Sequence, residues 1–340
     1  MNFLRKILFP LAILYGLIMQ FRNFLFDIGI LKSYSFDLPI IVVGNLSVGG
    51  TGKTPQIEYL IRLLSSKYKV ATLSRGYKRQ SKGFLLANES DNAKTLGDEP
   101  FQFYKKFKNI QVAVDANRKN GIEQLLLQEN KPEIILLDDA FQHRKVKAGF
   151  YILLTTYNDL FCDDFILPTG NLRESRSGAK RANIVIVTKC PENISDEEQN
   201  AIKSKLKLSL SQEVFFTCID YDNQVFSDSN SLDVLEIKLK QKLLLAGIAN
   251  PKPFFDFLKN ENDTVLSFPD HHDFSENDIL NIKEKAKDKL IITTEKDYVR
   301  LKNNISGEQL YYLPIKVSFV SNKETFDKNI LNYVEQSSRN

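Results

Sequence analysis

Short apolar runs alternate along the chain with longer stretches in which apolar residues recur at helical spacing. The runs at 40–43, 70–73, 110–114, 134–137, 151–154 and 184–187 read as buried strands. Between them lie helical patterns after Lys53 and over 121–129, the first with Ile57, Leu60, Ile61 and Leu64 on one face. The alternation resumes with strands at 214–219, 243–246, 264–268 and 290–293. Helices are expected over 196–210, 253–259 and up to Lys287, the last opened by the capping pair Ser275 and Asp278. Strands alternating with helices predict an α/β fold: a doubly wound, mostly parallel sheet and a second, smaller α/β lobe. A fresh round of the pattern from about Ser195 divides the chain into 29–194 and 195–340.

The first 28 residues break the pattern. Residues 7–19 are nearly all apolar, interrupted by Pro10, with Arg5 and Lys6 before them and Arg22 after. The run is too short for a bilayer core of about 30 Å. No small-residue cleavage site follows, as one would after a signal peptide. It reads as a helix lying in the membrane interface with its basic residues near lipid phosphates; packing on the domain is the other arrangement the pattern permits.

The strand at 40–43 runs into Gly44-Asn45-Leu46-Ser47-Val48-Gly49-Gly50-Thr51-Gly52-Lys53-Thr54, and then into the first helical pattern. Strand, glycine-rich turn and helix in that order is the context a P-loop requires. Backbone N–H groups of Ser47, Val48, Gly49, Gly50, Thr51 and Gly52 face a phosphate chain in such a turn. Lys53 reaches the β- and γ-phosphates, and the Thr54 hydroxyl binds Mg²⁺. Pro55 sits in the first helical turn, where its missing N–H costs nothing. One feature departs from the usual spacing: Ser47 stands where the first glycine is expected, with Gly49 and Gly50 nearby.

Further chemistry gathers where the other strands end, at the edge where α/β sheets present ligands. The strand at 70–73 ends in Ser74-Arg75-Gly76-Tyr77; residues 80–95 are turn-rich. Gly97-Asp98-Glu99-Pro100 reads as a helix start with Asp98 as cap. The run at 134–137 ends in Asp138-Asp139, the form of a Walker B strand whose carboxylate supports Mg²⁺. One Asp contacts the metal shell and the other shapes the turn; the sequence does not say which. Gln142, His143, Arg144 and Lys145 follow. The loop-like stretch 158–181 carries Arg173, Glu174, Arg176, Lys180 and Arg181, and a loop of that length at the sheet edge is expected to be functional. The strand at 184–187 ends in Thr188-Lys189-Cys190-Pro191. The Thr-Lys pair is similar to the guanine-reading motif of GTPases, but Pro191 replaces the Asp, which argues against GTP. Val48 stands where partition-type ATPases carry Lys.

Composition changes this little. The chain has 340 residues, 43% hydrophobic and 26% charged, with a net charge of +4. That is ordinary for a globular protein and carries no nucleic-acid signature. Cys162, Cys190 and Cys218 are isolated, without metal-site spacing.

Taken in order, the P-loop segment, Ser74–Tyr77, Gly97–Pro100, Leu137–Arg144, Leu172-Arg173-Glu174, Gly247-Ile248-Ala249-Asn250-Pro251, Asp270-His271 and Thr294-Glu295-Lys296-Asp297 resemble the tetraacyldisaccharide 4′-kinase family of lipid A biosynthesis. Two positions depart from the family pattern: Ser175, often Pro, and Ala140, often Gly. The resemblance implies an enzyme on the cytoplasmic face of the bacterial inner membrane. It would move the γ-phosphoryl of ATP, with Mg²⁺, to the 4′-hydroxyl of a tetraacyl glucosamine disaccharide 1-phosphate. The product would resemble lipid IVA. The resemblance makes Asp98 and His271 a catalytic pair, which the residues alone show only as a helix cap and a loop position. It groups Thr54, Asp138, Asp139 and Glu174 around the metal, and Arg75, Tyr77, Gln142, His143 and Arg173 around the lipid. It implies no nucleic-acid partner and no obligate protein partner. Two other classes fit parts of the pattern. A P-loop ATPase switching a protein partner would hydrolyse ATP on contact with that partner and phosphorylate no lipid. A membrane scaffold with a decayed site would bind no nucleotide, against which intact Lys53, Thr54, Asp138 and Asp139 stand.

Overall fold

The structure, a computed structural model, describes Arg5 and residues 7–270 and 272–337. The chain forms two units, one from Met1–Ile219 with Val317–Asn340, the other from Asp220–Lys316.

The first unit is built on a nine-stranded sheet. Its centre is β1 (Ile40–Asn45), flanked in parallel by β5 (Ile134–Asp138) and β6 (Phe150–Thr156). Outward from β5 run β2 (Val70–Ser74) and β4 (Gln111–Val114), both parallel, and the short antiparallel β3 (Leu85–Leu86). Outward from β6 run β7 (Ile184–Thr188) and β8 (Glu213–Tyr221), parallel, then β15 (Ile315–Phe319) at the rim. The strands read as unbroken apolar runs because helices cover both faces. Successive residues of β1 feed opposite cores: Ile40 and Val42 one, Ile41 and Val43 the other. The second core also takes Ile57, Leu60, Ile61 and Leu64 of α2 (Lys53–Leu64).

Four further helices of this unit matter to the site. They are α1 (Phe9–Asp27), the one-turn α3 (Ala93–Leu96), α4 (Asp98–Lys106) and α5 (Arg118–Leu126). The unit also includes α6 (Asp196–Leu206), and it closes with α11 (Lys323–Ser337), whose Phe326, Ile330 and Val334 join the core beneath α2. The boundary expected at 195 is therefore early: α6 and β8 extend the first sheet, and the chain returns to it after 316. Pattern alone shows that a strand exists, not which sheet it joins, and β8 joins through its ladder to β7.

The second unit holds a six-stranded sheet in the order β10-β9-β14-β13-β11-β12. These are β9 (Gln224–Phe226), β10 (Ser231–Asp233), β11 (Lys242–Ala246), β12 (Thr264–Ser267), β13 (Leu290–Thr294) and β14 (Leu310–Leu313). The ladders among β11, β12, β13 and β14 are parallel, while β9 and β10 add an antiparallel edge. Helices α7 (Val234–Leu239), α8 (Lys252–Leu258), α9 (Glu276–Ala286) and α10 (Glu295–Leu301) complete it. The Ser275–Asp278 capping box forms as expected. The doubly wound first sheet and smaller α/β second unit match the predicted fold class.

Candidate active site

The turn between β1 and α2 is open where a phosphate chain would lie. Gly49 and Gly52 have φ of +118° and +87°, a region that favours glycine. A side chain at Gly49 would meet nothing within 4 Å. Gly52 caps α2, so the helix presents its unsatisfied N–H groups to the turn. The Thr188 hydroxyl bonds the Thr51 carbonyl at 2.8 Å and lies 3.2 Å from that of Thr155, pinning the turn to the end of β7. On the other flank the Val48 N–H donates to the Asn171 carbonyl, and Ser47 bridges to Leu172. Thr54 lies in the first turn of α2.

Lys53 Nζ donates to Asn45 Oδ1 at 3.4 Å and stands 3.7 Å from Asp139 Oδ1. Arg173 reaches both oxygens of Asp139 at 3.1 Å and Asn45 Oδ1 at 3.0 Å. The structure thus separates the two aspartates that the sequence leaves equivalent. Asp139, in the left-handed region at φ 47°, faces two cations. Burial opposes its ionisation, yet Lys53 and Arg173 outweigh burial and hold its carboxyl below the usual range. Asp138 ends β5 almost fully buried; its Oδ2 accepts from the Ser74 hydroxyl at 3.3 Å. Burial, then Asp139 and Glu99, push its carboxyl up to about 6. Its Oδ1 has no hydrogen-bond partner among the described residues.

An open glycine turn at a helix N-terminus and an orphaned carboxylate oxygen at the next strand end fit a magnesium nucleotide. Among the described residues no three His, Cys, Asp or Glu side chains cluster as metal ligands. That donor set suits a hard cation that keeps waters and leans on phosphate oxygens.

Asp98 begins α4, and Gly97, not Asp98, is its cap; no side chain caps this helix. The expected capping role is therefore not the one Asp98 plays. Gly97 packs on the loop after β2: a Cβ there would lie 3.1 Å from the Tyr77 carbonyl and 3.2 Å from Gly76 Cα. A missing side chain at Gly97 and Gly76 allows this approach, which sets the start of α4 against the loop after β2. The helix is also fixed to α2, through Gln102 and Lys106 on Glu58 at 2.9 and 2.7 Å. Arg75 and Tyr77 are exposed at this edge.

Two other candidates are engaged elsewhere. Glu174 is buried, with Oε1 accepting from Arg181 at 2.7 Å and Gln142 at 3.0 Å, and Oε2 from Asn23 at 3.0 Å. Gln142 also donates to the Asn45 carbonyl at 2.8 Å. Both side chains form the frame under α1 instead of facing metal or lipid in this arrangement. His143 is half-buried; burial, then Arg118, push its imidazole down to about 4, so it is neutral near pH 7 and offers no charge to a phosphate. Of the two departures from the family pattern, Ser175 caps the short 3₁₀ turn Arg176–Arg181 and Ala140 is buried.

Helix α1 lies along this frame. Tyr15 donates to the Arg173 carbonyl at 2.8 Å, Arg22 to the Gln142 carbonyl at 3.2 Å, and Arg144 to Asp27 at 2.7 Å. Phe26 is buried between the guanidinium groups of Arg22 and Arg144. The opposite side is apolar and exposed, including Leu11, Ile13, Leu14, Leu17, Ile18 and Phe21.

His271 lies outside the described residues. Its neighbour His272 is held in the second unit, between Phe268 and Phe274, with Nε2 3.0 Å from Asp278 and its carbonyl accepting from Arg300.

Sequence reasoning missed several residues. Asn45 carries no charge and sits in a segment read for its glycines. Arg118 is buried, bonds the carbonyls of Asp115 and Asp138, and is pushed down to about 10, chiefly by burial. The helix was expected from Gly121, which left Arg118 in a loop. Helix α5 starts at Arg118 with a polar turn capped by Asn117, a signal that Asn as N-cap could have given.

Residues 4–335 match the family model described as tetraacyldisaccharide-1-P 4′-kinase. A tetraacyldisaccharide 4′-kinase of Flavobacterium johnsoniae is 68% identical over 337 residues, 99% of each chain. One of Bacteroides thetaiotaomicron is 47% identical over 361 residues, 99% of this chain and 95% of the relative. Among solved structures, LpxK from Aquifex aeolicus in complex with ATP superposes with a TM-score of 0.79 at 32% identity, covering 97% of this chain and 99% of that one.

Proposed function

The chain belongs to the tetraacyldisaccharide-1-P 4′-kinase family, and we propose from that premise how the residues at the edge of the first sheet perform the reaction. The enzyme uses ATP to phosphorylate the 4′-hydroxyl of a tetraacyl disaccharide 1-phosphate in lipid A biosynthesis. One observation carries the site reading: Lys53, Asp139 and the orphaned Asp138 oxygen meet beside the open Gly49–Gly52 turn.

The N–H groups of 47–52 and the start of α2 cradle the triphosphate. Lys53 exchanges its contact with Asp139 for the transferring phosphoryl, where a fixed positive charge lowers the barrier most. Asp138, with Thr54, would hold Mg²⁺ or its water. When bound, the cation would neutralise charge on the β- and γ-phosphates. Asp98 accepts the proton of the 4′-hydroxyl as its oxygen attacks the γ-phosphorus and ADP leaves. The pairing of His271 with Asp98 as the residue that orients it rests on the family resemblance alone. Arg75, Tyr77 and Arg173 hold the lipid's existing phosphate, with His143 as a neutral hydrogen-bonding partner.

Helix α1, 19 residues from Phe9 to Asp27, extends beyond the apolar run at 7–19 and, contrary to the expectation from that run, is long and apolar enough to cross a membrane by length and composition. Its finer placement follows from its two sides: residues from Tyr15 to Asp27 are tied to the kinase unit and the opposite face is exposed. This supports a helix lying in the plane of the cytoplasmic leaflet of the inner membrane, not across it.

The deciding experiment supplies γ-labelled ATP and a lipid extract lacking the 4′-phosphate. Label in the lipid is expected. Label released only as inorganic phosphate would make the chain an ATPase and end this reading.

A further inference from the structure

The strand end at Thr188-Lys189 has no part in the chemistry described so far, yet it stands against the nucleotide turn. Strand β7 is second from β1 on the side away from β5, and both strands are parallel, so their C-terminal ends share one edge. Thr188 is bonded to the Thr51 carbonyl. Lys189 then turns the chain in the left-handed region, at φ 57°, a conformation unfavourable for a residue with a β-carbon. The turn is held from behind, where the Cys190 N–H donates to the Thr217 carbonyl at 2.9 Å and Cys190 itself is buried. The result is that Lys189, exposed at its backbone position, carries its Nζ over the P-loop: a Cβ on Gly50 would lie 3.9 Å from it, with no other atom within 4 Å.

We propose that Lys189 forms the floor of the nucleotide's base and sugar subsite, with its methylene stem against the purine face and its ammonium above the Gly50 turn. The reading rests on the P-loop being the ATP site. Three observations lead to it. The position is at the sheet edge beside the phosphate turn, with its ammonium nearest Gly50. A long side chain with an apolar stem and a cationic tip suits the face of a purine, through packing and cation–π attraction. The position two residues after Lys189, where a guanine-reading Asp would stand, is Pro191, which has neither acid nor N–H, and Cys190 between them is buried. The subsite therefore supports a purine without selecting guanine.

The test compares two ligands that share the phosphates and differ in the nucleoside. Binding of ATP and of inorganic tripolyphosphate, each with Mg²⁺, is measured on the full chain, on Lys189→Ala and on Lys189→Met. Lys189→Ala is expected to weaken ATP about tenfold, the size of one such contact, and to leave tripolyphosphate unchanged. Lys189→Met, which keeps the stem, should fall between parent and Ala. Equal weakening of both ligands would make Lys189 a phosphate contact and overturn the proposal, as would no change in either. Pro191→Asp should gain affinity for GTP; failure to gain it counts against a base at this strand end. If the unaltered chain binds neither ligand, the P-loop reading itself fails, which is a separate result.

Discussion

Asn23 and Glu174, 151 residues apart in sequence, share a hydrogen bond of 3.0 Å that joins the apolar helix to the kinase frame. Glu174 passes the connection on through Gln142 to Asn45, the residue that also meets Lys53. The helix is therefore joined to the site, and its exposed apolar side is the proposed membrane surface. Deleting residues 1–28 is expected to move the protein from the membrane fraction to the soluble one. It should also lower the unfolding midpoint, because a buried carboxylate that loses a partner costs roughly 1–3 kcal/mol. A cleaner probe changes only the exposed side. Leu14→Glu with Leu17→Glu should abolish binding to anionic vesicles and raise KM for lipid several-fold, with KM for ATP and thermal stability retained. A double variant that still floats with vesicles would place the membrane contact elsewhere.

Lys53→Ala removes the cation nearest Asp139 and the phosphate turn. Loss of one preorganised charge at the transferring group lowers kcat/KM by on the order of 10²-fold or more. Steady-state phosphorylation measured with lipid at saturation checks this. Near-normal turnover would take the P-loop out of the mechanism.

Asp138 gives a pH signature. Its carboxyl is pushed up to about 6 by burial, then by Asp139 and Glu99. A raised acid favours the protonated native state, so nucleotide-free protein carries no penalty below about pH 4. It acquires one as pH rises from about 4 to 6 and bears it fully at 7, at roughly 2–3 kcal/mol. Asp138→Asn should therefore be more stable than the parent at pH 7, with the difference shrinking toward pH 4, while kinase activity is lost. Melting curves across that range decide it; a variant less stable at pH 7 would show the ionised carboxylate to be a net stabiliser.

Asp98 and His271 are proposed to act as one unit. Asp98→Ala and His271→Ala should each lower kcat by roughly 10²- to 10⁴-fold, with ATP affinity little changed. The double variant should be scarcely worse than either. Effects that multiply would mean independent roles. Loss of ATP affinity in Asp98→Ala would instead give Asp98 a structural or metal-shell role.

The nucleotide turn was legible because strand, glycines, Lys53 and α2 are contiguous. So were β1, β5 and β7, since burial on both faces leaves unbroken apolar runs. What was not legible depends on partners far along the chain. Asp138 and Asp139 are adjacent and identical in type; they part only because Arg173, 34 residues on, reaches back to Asp139. Glu174 reads as a loop acid, and nothing local reveals that Arg181, Gln142 and Asn23 surround it. Asp98 reads as a cap because Asp before Pro is a common helix start, but Gly97 takes that place by packing on Gly76. Strands as short as β9 and β10 fall below any periodic signal.

The return of α11 to the first unit has a consequence in time. Phe326, Ile330 and Val334 seal the layer beneath the phosphate turn, so that layer stays incomplete until α11 has been made. The apolar helix α1 precedes α11 in the chain and is made well before it. On the proposed membrane role of α1, the nascent protein can thus meet the bilayer before it can hold ATP, and the order of manufacture puts targeting ahead of catalysis. Chains broken off by premature termination within the second unit would keep α1 without the activity.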